Sequence, residues 1–281
     1  MNYPQFQNNE APKWVKDNLL VDMGVQYQAN AMKHLIPFLS LLTAPLTLAQ
    51  SGTVLIPSTS FDSKEEFDKY WGYLYPWGSD HNGSARMRES QVKMENGTVT
   101  LTAKRVNGEP QATHGGKKLD IRYLSGAIHA LEHYTVAAGG GIDYLADLKV
   151  KTYRGSWPAF WATYTDGWPP EIDMAEWKGT GKISFNTFNT SSQVTALDVN
   201  YPNPDEFHSF RCETRDINGR DVSVKFYMDD NFVAEQVGRD YVGKSMYLII
   251  NLQMEGSSGN PGPEQDTEYS ARNVQVISYN P

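Results

Sequence analysis

The chain has 281 residues, 12% of them aromatic and only 21% charged, with 16 Tyr and 7 Trp. That composition supports a sizeable core and excludes an intrinsically disordered chain. The net charge of −8 and the lack of a Lys/Arg-rich run argue against nucleic acid and anionic membrane as partners.

In chain order, residues 1–31 are polar and unpatterned. Met32-Lys33-His34 then leads into the apolar run Leu35 to Leu42, followed by small residues up to Ala49. A cation, a short apolar stretch and small residues form a secretory signal peptide, expected over 32–49. The apolar run is too short to span a membrane. On this reading residues 1–31 are a mis-assigned N-terminal extension, and residues 50–281 form one secreted, extracellular, monomeric catalytic domain. Cys212 is the single cysteine, so that domain has no intrachain disulfide. It shares strand parity with Phe210, which suits a buried, inert thiol.

Beyond residue 50 short strands alternate with turns. The predicted strands are 98–105, 127–136, 145–153, 157–164, 182–190, 222–230, 231–237, 246–253 and 273–279. Val222, Val224, Phe226 and Met228 alternate with Ser223, Lys225 and Tyr227, a period of two. Asp229-Asp230-Asn231 is predicted as a hairpin turn. Glycine-rich breaks fall at 139–141 and 255–263, and no long helical period competes. The predicted class is all-β, a jelly-roll sandwich of two antiparallel sheets.

The stretch PPEIDMAEW, residues 169–177, places Glu171, Asp173 and Glu176 within six residues. Pro169-Pro170 could start a helix and Gly179 could end one. The β-branched and aromatic flanks favour a strand. On a regular strand Glu176 would face away from the other two carboxylates. One extra residue, a β-bulge at Met174-Ala175, resets parity and brings all three to one face. Such crowding raises carboxyl pKa values and suits acid–base chemistry. Glycoside hydrolysis needs one carboxylate and one carboxylic acid at the scissile bond.

Glu171-Ile172-Asp173-Met174-Ala175-Glu176 resembles the active-site signature of glycoside hydrolase family 16 in its bulged, laminarinase- and agarase-like form. Gly155 to Trp161, Val224 to Asp230, Met246 to Leu252 and Asn273 to Val276 resemble other strands of that family in the same order. The resemblance implies a concanavalin A-like sandwich with a concave substrate cleft. It implies an endo-acting retaining β-glycosidase that uses no cofactor. By resemblance Glu171 is the nucleophile, Glu176 the general acid/base, and Asp173 the residue that holds Glu171 and modulates its proton affinity. The alkaline limb of activity is then expected to follow a proton retained on Glu176.

Trp157, Trp161, Trp168 and Trp177 surround the carboxylates and are candidate platforms for sugar rings, with core packing the alternative for each. Asn186 and Asn251 are candidate substrate-binding residues on strands, with a structural hydrogen bond the alternative. The expected substrate is a polysaccharide, a β-1,3- or β-1,3(4)-glucan first and a galactan second. Two features depart from the laminarinase pattern. The stretch 182–189 lacks the His that many relatives carry, and Arg272 stands where they place a calcium-binding Asp, so no metal is expected.

Three other readings compete. His129-Ala130-Leu131-Glu132-His133 satisfies a metallopeptidase H-x-x-E-H motif, which requires a helix. A non-catalytic glycan-binding sandwich would use the same fold. A transglycosylase would use the same two Glu residues. Asn82, Asn96 and Asn189 head glycosylation sequons.

Overall fold

From Thr98 to Arg105 polar and apolar residues alternate, and the inward set Val99, Leu101 and Ala103 is buried. The same logic, repeated along the chain, builds two large sheets in the computed structural model, which describes residues 51–281. The expected N-terminal extension and signal peptide lie outside the described residues.

One sheet carries the carboxylate cluster. Its strand order is Gln193–Asn200, Lys182–Thr190, Glu171–Trp177, Ser156–Tyr164, Ser245–Met254, Ala127–Ala130 and Trp71–Tyr73, with Tyr134–Thr135 beside Ser245–Met254. The second sheet runs Asn231–Gly238, Val222–Met228, His208–Asp216, Gly141–Val150, Thr267–Ser278, Thr98–Arg105, Tyr123–Ser125 and Ala85–Met87. Pairing is antiparallel throughout both sheets except for the short Ala85–Met87 and Tyr123–Ser125 pair. The inward faces meet in one apolar core that includes Phe160, Ala162, Phe185, Phe210, Phe226 and Leu248. Cys212 lies in that core, and burial pushes its thiol well above the ordinary range.

Trp177 is part of this core, which corrects its assignment as a sugar platform. Its side chain is fully buried and meets Tyr201, Phe210 and Tyr269 at ring distances of 5.3, 5.7 and 5.8 Å. The reason is parity. Once Glu176 points outward, the next residue on the strand must point inward.

The element boundaries show where local pattern was insufficient. The predicted strand 127–136 breaks into Ala127–Ala130 and Tyr134–Thr135 at an exposed bend, Leu131 to His133. The edge strand Gln193–Asn200 was not predicted. Most of its side chains are exposed, so it lacks an apolar alternation. The helix Lys64–Tyr70 was not predicted either. It has seven residues, buries only Phe67, and is capped by Ser63, whose hydroxyl accepts the Glu66 N–H at 3.1 Å. The Asp229-Asp230 turn is as predicted. Both residues have positive φ, 51° and 60°, joining the paired Met228 and Asn231 in a two-residue hairpin. Of the sequon asparagines, Asn82 and Asn96 are exposed, whereas the Asn189 side chain spans Val237 O and Arg239 N.

Trp177→Ala should lower the unfolding free energy by about 3–5 kcal/mol through loss of core volume. Denaturant unfolding followed by fluorescence measures this, and a loss below about 1 kcal/mol would contradict the packing role.

Candidate active site

The register of Glu171–Trp177 against its neighbours contains the expected bulge. Asp173 pairs with Asn186 and Glu176 with Ser184, so three steps on one strand match two on the other. On the opposite side Asp173 is level with Trp161 and Ala175 with Phe160. The extra residue sits at Met174-Ala175, and both of these are buried. Glu171, Asp173 and Glu176 therefore share the outer face of the sheet on three alternate rungs. Glu171 lies between Thr163 and Phe188, Asp173 between Trp161 and Asn186, and Glu176 between Ala159 and Ser184.

Hydrogen bonds fix these side chains. Asn186 Nδ2 donates to Asp173 Oδ2 at 2.8 Å and to Glu176 Oε2 at 3.0 Å, so one amide nitrogen clamps two carboxyls together. Trp157 Nε1 donates to Glu176 Oε1 at 2.6 Å, and Lys178 Nζ lies 2.8 Å from Glu176 Oε2. Trp168 Nε1 donates to Glu171 Oε2 at 3.0 Å. The backbone of Glu171 is pinned by Tyr241, whose hydroxyl accepts the Glu171 N–H at 3.2 Å and donates to Phe188 O at 2.6 Å.

The electrostatics follow from this crowding. Burial, then the charges of Asp173 and Glu176, push Glu171 well above the usual carboxylate range. Burial and the charge of Glu176 push Asp173 up to about 8, against the donor Asn186 and the cation Lys178. Asp173 was expected to hold Glu171 and to modulate its proton affinity; its charge does raise the Glu171 pKa, while its side-chain hydrogen bond is to Asn186. Glu176 receives three donors, from Trp157, Asn186 and Lys178.

The structure distributes the other predicted residues unevenly. Trp157, Trp161, Trp168, Asn186 and Asn251 surround the carboxylates, and Trp177 does not. Asn186 spends its amide on carboxylates, and Asn251 accepts the Trp161 N–H at 2.7 Å, so both take structural partners. Trp168 is 45% exposed and rests against Phe188.

Sequence reading did not single out Lys178, Tyr241, Tyr247, Trp77 and His81. Lys178 stands two residues after Glu176 and was legible as a strand neighbour on the same face. The others arrive from distant segments. Tyr247 is level with Thr163. Trp77, 43% exposed, stacks on Tyr75 and meets Trp161 and Tyr247 edge-on.

The His129 to His133 stretch is strand and bend rather than helix, and His129 Nδ1 lies 3.0 Å from Leu74 O. That geometry does not assemble a peptidase zinc site. Arg272 contacts Asp147 Oδ2 at 3.2 Å and lies over the Phe207 ring, so the place that relatives give to calcium holds a paired guanidinium. These residues do not fit a calcium ion.

The chain resembles known proteins over this whole region. It matches the glycosyl hydrolases family 16 over residues 80–271. It is 48% identical over 241 residues to a galactan endo-beta-1,3-galactanase of Flammulina velutipes, covering 85% of this chain and 96% of that one. Among solved structures it is similar to an endo-1,3-beta-glucanase of Streptomyces sioyaensis, with a TM-score of 0.62 at 20% identity, covering 76% of this chain and 91% of that one. It is equally similar to the catalytic domain of a laminarinase of Thermotoga petrophila, with a TM-score of 0.62 at 18% identity, covering 83% and 99%. These last two likenesses concern the fold, a jelly-roll sandwich. With the family's match spanning the bulged strand and the geometry described above, the chain belongs to the glycosyl hydrolases family 16 and is a glycoside hydrolase.

Proposed function

We propose that this endo-acting β-glycosidase cleaves internal bonds of a β-1,3-galactan and is secreted to do so. The bulge at Met174-Ala175 carries the catalytic reading, because it alone brings the three carboxyls onto one open face. The 48% identity to a galactan endo-beta-1,3-galactanase supports galactan ahead of glucan. The signal-like segment 32–49 supports secretion.

In the first step a carboxylate oxygen of Glu171 attacks the anomeric carbon. Glu176 protonates the glycosidic oxygen, the bond from the anomeric carbon to that oxygen breaks, and a glycosyl ester on Glu171 forms. In the second step Glu176 takes a proton from water, the water oxygen attacks the anomeric carbon, and the ester bond breaks with net retention. The Trp168 N–H favours the ionised form of Glu171 that the first step needs, against the burial and neighbouring charges that raise its pKa. Asn186 Nδ2 holds the Asp173 carboxyl beside that of Glu176, the group that must protonate the leaving oxygen. Lys178 and the Trp157 N–H stabilise Glu176 as the carboxylate that the second step needs. A lectin on this fold would have no use for three carboxyls crowded on one face, which costs stability.

Reducing-end release should be fastest on β-1,3-galactan within a panel that includes laminarin, agar and xyloglucan, and the first product should keep the β configuration by proton NMR. Glu171→Gln should abolish release, and Glu176→Gln should lower kcat about 10²–10⁴-fold. Full activity in either variant would sink the assignment. Products joined to a sugar acceptor rather than to water would point to transglycosylation.

A second outcome concerns stability. Asp173 titrates near its ordinary value when unfolded and at about 8 when folded, so the folded protein holds more protons between those values. Stability should therefore fall as pH rises from about 4 to about 8. Asp173→Asn should flatten that slope in denaturant titrations, and an unchanged slope would contradict the proposed proton.

A further inference from the structure

His81 has no part in the chemistry above, yet it is held beside it. Its loop is tied down on both sides. Tyr75 and Gly78 exchange backbone hydrogen bonds at 3.1 and 3.0 Å, and Asp80 accepts from Arg86 Nε at 2.9 Å. At Gly83 an added Cβ would stand 2.4 Å from Met254 O, so the loop lies directly on the Ser245–Met254 strand. The His81 ring stacks on Trp161 at 5.8 Å and 29°, and meets Tyr75, Trp77 and His114 at 5.2, 5.3 and 4.8 Å. Trp161 shares a rung with Asp173, so this ring borders the carboxylates.

The two ring nitrogens differ. Nδ1 is enclosed and has no hydrogen-bond partner. Nε2 also lacks one and is the less enclosed of the two. Burial, helped by His114, pushes the imidazole down to about 3, so the ring is neutral in ordinary buffers. A neutral imidazole carries one N–H. On Nδ1 it would be a stranded donor, a costlier defect than a bare lone pair. The proton therefore resides on Nε2, at the less enclosed edge.

We propose that His81 is a substrate-binding residue whose Nε2–H donates to a hydroxyl of the sugar seated against the exposed ring of Trp77. This rests on the polysaccharide hydrolase reading and names a donor that selects the sugar. A single fixed donor discriminates among hydroxyl configurations, because a sugar that offers no oxygen there leaves it unpaired. Galactose and glucose differ in one such configuration.

The test compares two variants on the polysaccharide that the wild type cleaves fastest. His81→Phe keeps the ring and removes the donor, while His81→Gln keeps a donor. His81→Phe should lower kcat/KM about 5–10-fold, and His81→Gln should recover at least half of that loss. Both should keep the wild-type Tm and pH limbs, since a ring neutral at working pH contributes no titration. No loss in His81→Phe, or an equal loss in both, overturns the proposal. A second readout needs no turnover. In Glu171→Gln the ring nitrogen resonances should show a bare Nδ1 and a protonated Nε2 from about pH 5 to 8. The Nε2–H signal should shift on adding β-1,3-galactan oligosaccharides. A proton on Nδ1, or an unmoved signal at saturation, overturns the role of His81 and leaves the carboxylate assignment standing. A wild type that cleaves no polysaccharide strikes the hydrolase reading instead, and the ring resonances then decide His81 alone.

Discussion

One extra residue in one strand sets the rest of this site. A regular strand alternates, and Glu176 would then point into the apolar core where Trp177 now packs. The bulge exchanges the two. It sends a large ring inward to Tyr201, Phe210 and Tyr269, and a carboxyl outward to Trp157 and Lys178. Core packing and site geometry are thus settled by the same irregularity. With both neighbouring strands paired on either side, the bulge has no freedom to slide.

The cost of that arrangement is electrostatic. Three carboxyls on alternate rungs of one face, two of them buried, cannot all be ionised cheaply. The surrounding donors relieve the strain unequally. Glu176 takes donors from Trp157, Asn186 and Lys178, and Glu171 takes one from Trp168. Asp173 shares the Asn186 amide, and burial and the charge of Glu176 push it up to about 8. An uneven supply of donors along three like groups is what makes their environments differ.

The open face is finished by residues that do not belong to the signature strand. Tyr241 reaches from beyond Asn231–Gly238 to pin the Glu171 backbone. The loop from Tyr75 to Ser84 lays Trp77 and His81 against Trp161. Gln253 secures that loop by accepting the Ala85 N–H at 2.8 Å and approaching the Tyr75 hydroxyl at 3.4 Å. These contacts join positions more than sixty residues apart, and no local pattern announces them.

Period-two alternation, turn residues and one irregular spacing of carboxylates were enough to read most strands, the sandwich, the bulge and the three acidic residues. These are local properties, because strand parity depends only on the chain's own repeat. The short helix and the edge strand Gln193–Asn200 escaped, since neither buries enough apolar surface to mark a period. Which tryptophans line the open face and which pack into the core also escaped in part. Trp157 and Trp177 look alike in sequence, and only the count of residues across the bulge separates them. The partner of Asp173, the clamp by Asn186 and the cage around His81 were decided by tertiary structure alone. Hydrogen bonds and charge act through space over a few ångströms, and folding chooses which distant residues come that close.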